Sequence, residues 1–186
     1  MTRFIKYVSV VIFALAALTS CHKDSVTFPH GWRLPTSTEI DDDWRKKDID
    51  RYMIVKGDFN GDGVIDEARV LVRENGSGLG LFSFVSQKDH TVKAYLLDEL
   101  KGVNSIHTMG IMKVSPGLYK TACGKGYWEC NKGEVPEISL QHDAIDYFKT
   151  ESANSYFYWD IQAKIFKSTN FLRYFLQFYP LSNCKI

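Results

Sequence analysis

Residues 52–72 read YMIVKGDFNGDGVIDEARVLV, and this stretch decides the fold class. Tyr52-Met53-Ile54-Val55 and Ala68-Arg69-Val70-Leu71-Val72 are rich in β-branched and apolar residues, and the segment between them is dense in Gly, Asp and Asn. The first kind of residue fits a pleated surface and the second kind fits a turn. The stretch therefore predicts two strands of one hairpin-like unit. Downstream, residues 79–85 and 91–97 form the next pair, although 96–100 also fits the start of a short helical turn. Residues 105–114 read as a strand stopped by Ser115-Pro116-Gly117. Residues 118–123, 135–140, 144–148, 156–159 and 165–166 continue the pattern, and 171–179 reads as strand or extended chain. Upstream, 29–35 reads as irregular. Thr36 and Glu39 have capping-box spacing and predict a short helix to about Lys47, with Ile40 and Trp44 on its buried face. The expected fold is mainly β: an antiparallel sheet, sandwich or partly open barrel with one short N-terminal helix.

The loop inside the opening stretch carries chemistry. Its spacing, Asp58-x-Asn60-x-Asp62-Gly63-x-x-Asp66, wraps oxygen ligands around a hard cation, and the backbone carbonyl of Val64 adds another. Ca²⁺ takes about six to eight such oxygens in a flexible cage, whereas Mg²⁺ demands a stricter octahedron. The first nine positions look like an EF-hand loop. The twelfth, where that loop has a bidentate Glu, is Arg69, and the flanks read as strands. The segment instead resembles the calcium loops of FG-GAP and VCBS-type β repeats. That resemblance covers about residues 52–72, in a single copy, so no propeller is implied. It implies a structural Ca²⁺ held by Asp58, Asn60, Asp62, Val64 and Asp66.

The N-terminus reads MTRFIKYVSVVIFALAALTSC. Basic Arg3 and Lys6 precede an apolar run over 7–18, which is the pattern of a secretory signal peptide. The run is short for a membrane span, which takes roughly 20 apolar residues. Its ending, Leu18-Thr19-Ser20-Cys21, resembles the lipobox of bacterial lipoproteins. The resemblance implies removal of residues 1–20, diacylation of the Cys21 thiol and N-acylation of the new terminus. His22-Lys23-Asp24-Ser25 begins a tether over 21–30, and residues 31–186 form one domain. The residue after Cys21 is His and not Asp. In enteric-type bacteria this implies the outer membrane, facing the periplasm, over the inner membrane.

Loss of Arg3 and Lys6 moves the formal charge from +1 to −1. A near-neutral chain lacks the basic footprint of a nucleic-acid binder. An exported chain meets oxidising conditions. Cys123 and Cys130 bracket a glycine-containing loop and are expected to pair, with Cys184 as a rival partner for either; one thiol is left over in each case. No second close pair of Cys or His supports zinc. That bracketed loop also presents Tyr127 and Trp128, residue types enriched at interface hot spots.

The five histidines, His22, His30, His90, His107 and His142, show no metal-ligand spacing. His142-Asp143 has no Gly-x-Ser-x-Gly elbow to complete a triad. Gly76-Ser77-Gly78-Leu79-Gly80 precedes a strand and lacks the strand-to-helix context of a phosphate loop. Glu134, Glu137, Glu151 and Asp160 are scattered. The expectation is a non-enzymatic, envelope-anchored binding protein, in its most concrete form an inhibitor or immunity protein against a toxin or lytic enzyme acting in the periplasm. Its partner surface would include Tyr127 and Trp128. A calcium-stabilised structural or adhesion module is the alternative, and an envelope hydrolase a third.

Overall fold

The computed structural model describes residues 26–169 and 177–179. The signal segment, Cys21, the first tether residues, Cys184 and residues 171–176 of the last expected strand lie outside the described residues. Twelve strands are present among those described. They are β1 (Trp32–Arg33), β2 (Ile54–Gly57), β3 (Asp66–Arg73), β4 (Gly78–Ser86), β5 (Val92–Lys101), β6 (Met109–Val114), β7 (Gly117–Lys120), β8 (Glu137–Leu140), β9 (Ala144–Lys149), β10 (Asn154–Asp160), β11 (Ile165–Ser168) and β12 (Gln177–Tyr179). All pairings are antiparallel.

The strands form a six-stranded sheet, a four-stranded sheet and a two-stranded ribbon. The first runs β1-β3-β4-β5-β12, with β1 and β2 pairing successive lengths of β3. The second runs β11-β10-β9-β6, and β7 with β8 makes the ribbon. The mainly β, antiparallel expectation holds.

Side-chain alternation explains the layering. In β4, Leu79, Leu81 and Val85 enter the core shared with the second sheet, whereas Phe82 and Phe84 point to the opposite face. From the second sheet, Ile111, Ile145, Tyr147, Phe157 and Phe166 enter the shared core. The outer face of the six-stranded sheet is covered by Val26, Phe28 and Trp32. Trp32 reaches close over the sheet there because Gly80 has no side chain: a Cβ at Gly80 would stand 2.6 Å from the indole ring. Opposite, on the outer face of the four-stranded sheet, the ribbon's Ile138 and Leu140 pack with Ala144, Val114 and Tyr156. Tyr119 meets Tyr156 edge-on at 5.5 Å.

Three local expectations change. The Thr36–Glu39 box forms: Thr36 N–H donates to Glu39 Oε2 at 2.7 Å, and Glu39 N–H donates back to Thr36 Oγ1 at 3.4 Å. A turn follows it, and the next helical piece is a five-residue 3-10 helix, Asp43–Lys47. The intervening Asp41-Asp42-Asp43 run disfavours a helix interior, and Asp42 is extended. Ile40 and Trp44 are half-buried; the fully buried side chain is Arg45. The expected strand over 105–114 divides into a 3-10 helix, Val103–His107, and β6. Residues 96–100 stay in β5, and the segment 29–35 contains β1.

Candidate functional site

The 58–66 loop is built around its own backbone. Asp58 Oδ1 accepts from the N–H groups of Gly61 at 2.7 Å and Asp62 at 3.1 Å, and its Oδ2 accepts from Gly63 N–H at 3.0 Å. Asn60 Oδ1 accepts from Asp62 N–H at 3.0 Å, and Asp62 Oδ1 accepts from Val64 N–H at 2.8 Å. Gly61 and Gly63 take positive φ, +76° and +84°, which a side chain would strain. An ionised carboxylate offers roughly four lone-pair sites, so three backbone donors at Asp58 leave it able to accept once more.

Asp66 sits differently. It is buried; its Oδ2 accepts from Phe59 N–H at 3.0 Å and its Oδ1 from Ser86 N–H at 2.9 Å. It thereby staples the loop to the end of β4. Burial pushes its pKa up to about 6, against the opposing pull of the backbone N–H groups. The donor set Asp58, Asn60, Asp62, Val64 carbonyl and Asp66 is all oxygen and suits a hard cation. Among the described residues no three His, Cys, Asp or Glu side chains converge as a group that holds a metal.

The loop docks on the second sheet through the β8–β9 turn. The His142 ring lies against Gly61, where a Cβ would stand 2.2 Å from it. Asp143 Oδ2 accepts from Asp58 N–H at 3.3 Å and from Lys113 Nζ at 3.5 Å. His142 and Asp143 therefore serve the loop, and a cavity of about 190 Å³ lies beside them, bordered by Phe59 and Trp159.

The second candidate is the long β7–β8 connection. Cys123 and Cys130 are joined, with Cα atoms 5.0 Å apart. Lys125 N–H donates to the Thr121 carbonyl, Gly126 N–H to that of Cys123, and Tyr127 N–H to that of Ala122. Gly124 permits the chain to return: a Cβ there would fall 1.8 Å from the Pro136 carbonyl oxygen. Glu134 Oε2 accepts from Asn131 N–H at 2.9 Å and from Trp128 Nε1 at 3.2 Å. The Asn131 N–H bond is the main force holding the Glu134 carboxyl below its ordinary pKa. Trp128 is thus tethered by its N–H, and Tyr127 and Trp128 remain 73% and 49% exposed. Leu118 and Val135 are exposed nearby in the same connection and its ribbon.

The sequence reading missed two features. Arg45 is fully buried, and its Nε donates to Asp42 Oδ2 at 3.0 Å, Nη1 to the Arg51 carbonyl at 3.0 Å and Nη2 to the carbonyls of Met109, at 2.7 Å, and Ile106. A basic residue in the run Asp43-Trp44-Arg45-Lys46-Lys47 carries no sequence signal for burial. The second is Asp146, a buried charge on the second sheet, inside a strand whose alternation was legible. Glu137, Glu151 and Asp160 are not drawn together with Glu134: Glu134 caps the disulfide loop, while Asp160 pairs with Lys167 and Ala163 N–H. No protein-family model, curated protein or solved structure matches this chain.

Proposed function

We propose that the chain is an envelope lipoprotein, anchored through Cys21 to the outer membrane and facing the periplasm, that acts by binding a protein and not by catalysis. Its contact surface is the disulfide-closed loop bearing Tyr127 and Trp128. The observation that carries this reading is the exposure of both rings, 73% and 49%, on a loop tied down by a disulfide and by Glu134. Large apolar rings held in place without filling a core lose little entropy on docking.

The placement of the two ends favours a protein over the bilayer as the occupant. Val26 and Phe28 pack on the outer face of the six-stranded sheet, and the ribbon packs on the outer face of the four-stranded sheet. Val26 stands five positions after Cys21, a reach of at most about 18 Å. Within that reach, an anchor at Cys21 is tied to the part of the domain where Val26 packs, on the other sheet from the ribbon. A protein held this way intercepts what arrives from the periplasmic side, as an inhibitor or immunity protein does against a toxin or lytic enzyme. Trp128→Ala is expected to weaken capture of the co-purifying partner by more than about 1 kcal/mol, the scale that separates hot spots from bystanders. Unchanged capture would leave the adhesion-module alternative.

The 58–66 loop is proposed to hold a structural Ca²⁺ through Asp58, Asn60, Asp62, the Val64 carbonyl and Asp66. It joins two strands of one sheet and rests on the turn of the other, so a cation there would tie the layers together. Saturation at 100 Kd would add about 2.7 kcal/mol of stability. Calorimetry is expected to show binding that Asp58→Ala with Asp62→Ala abolishes. An identical melting temperature in Ca²⁺ and in chelator would count against the site.

A further inference from the structure

Along β9, Ile145 and Tyr147 enter the inter-sheet core, which turns Ala144, Asp146 and Phe148 to the outer face of the four-stranded sheet. There the register sets Val114 beside Ala144, Met112 and Tyr156 beside Asp146, and Gly110 and Asn154 beside Phe148. The two residues directly opposite Asp146, Met112 and Tyr156, are thus apolar and aromatic. The position calls for a Val or Leu, yet it holds a carboxylate only 8% exposed. Asn154 Nδ2 donates to its Oδ1 at 3.0 Å. Burial raises its pKa, and Asn154 and the Lys125 cation of the disulfide loop offset this only in part. A buried charge with so little compensation lowers stability, and such departures from pattern cluster at functional sites.

Asp146 also lines an open groove of about 740 Å³, whose wall includes Trp44, Phe148 and the exposed Met112 and whose ionisable residues are Asp42, Glu151, Asp146, His107 and Lys149. Gly110 makes room for that wall, since a Cβ there would stand 2.6 Å from the Phe148 ring. Three carboxylates against one lysine, beside the apolar Trp44, Met112 and Phe148, match a cation carried on an apolar stem, which is the build of a lysine or arginine side chain.

We propose that this groove receives a basic side chain of a protein partner, its ammonium or guanidinium over Asp146 and its alkyl stem against Met112, Phe148 and Trp44. The assignment of the occupant to a protein rests on the binding reading above. The groove lies on the same sheet face as the disulfide loop, and Lys125 of that loop acts on Asp146. The cation-binding chemistry of the groove is tested without any partner and without Trp128.

The test follows the Met112 methyl resonance of the full-length protein in detergent. It is titrated separately with the N-acetyl methylamides of lysine, arginine and norleucine, and with spermidine. The lysine or arginine probe is expected to shift the resonance saturably and at least tenfold more tightly than norleucine, which has a similar stem without the charge. Asp146→Asn is expected to remove that tenfold preference while unfolding at an equal or higher denaturant concentration. Should that variant fail to fold, Asp146→Leu, which restores the apolar pattern, takes its place, and the lysine–norleucine contrast in the unaltered protein stands alone. Equal binding of norleucine and lysine, no saturable shift, or a preference that survives the Asp146→Asn substitution would overturn the site. Spermidine binding tenfold tighter than either amide would overturn the protein side chain as its occupant.

Discussion

The two sheets of this protein are built from similar strands and are used differently. The six-stranded sheet is buried on both faces, with every residue of β4 from Gly78 to Val85 shielded from solvent. Its outer face carries Trp32, Phe82 and Phe84, and Arg73 stacks on the Trp32 ring at 4.1 Å. The four-stranded sheet is fully covered on one face and only partly on the other. Its outer face is divided between the ribbon and an open groove, and it holds the buried carboxylate Asp146. A sheet covered twice is constrained everywhere by packing. A sheet left partly open on one face has positions free for chemistry, and the exposed aromatics and the groove stand on that side.

The comparison breaks most visibly at Phe82. It is fully buried and meets Trp32 edge-on at 4.9 Å. Phe82→Ala is expected to lower the unfolding free energy by about 3–5 kcal/mol, through lost transfer energy and a cavity that the flanking strands prevent from closing. Denaturant unfolding measures it. A loss below about 1 kcal/mol would mean that the outer face of this sheet is not a rigid core.

A paired glycine experiment sharpens the contrast. Added Cβ atoms at Gly80 and Gly110 would stand equally close, 2.6 Å, to the rings of Trp32 and Phe148. Trp32 is buried, whereas Phe148 is half-buried and borders the groove. Gly80→Ala is expected to cost about 1–3 kcal/mol, the range for overpacking, and Gly110→Ala less. Equal losses would show that the groove wall is as tightly held as the doubly covered sheet.

Much of this division was legible in the residues. Alternation marked β3, β4, β5, β9 and β10 because each strand sorts its side chains between two faces. The Cys123–Cys130 closure followed from a short loop with glycines, one of which, Gly124, is needed for the return past Pro136. The capping box was legible as a hydrogen-bond pair, but the aspartates after it stop the helix that it announces. Arg45 was illegible because its four backbone and carboxylate partners come from Asp42, Arg51, Ile106 and Met109, and three of these lie outside its own turn and meet it only in the folded chain. The groove was illegible for the same reason: Trp44, Met112 and Asp146 belong to separate elements. The 58–66 spacing was plain, yet the stapling role of Asp66 depends on Ser86, which alternation alone does not place.

The smallest expected effect tests the central claim. If the disulfide loop is a contact surface and not part of the core, removal of its larger ring should leave the fold alone. Trp128→Ala is expected to change the unfolding free energy by no more than about 0.5 kcal/mol, as exposed substitutions do. The ring loses its Nε1 bond to Glu134, and that bond is exposed. A loss of about 3 kcal/mol or more, the range for a buried Trp, would contradict the account by making Trp128 a core residue and the loop a structural element.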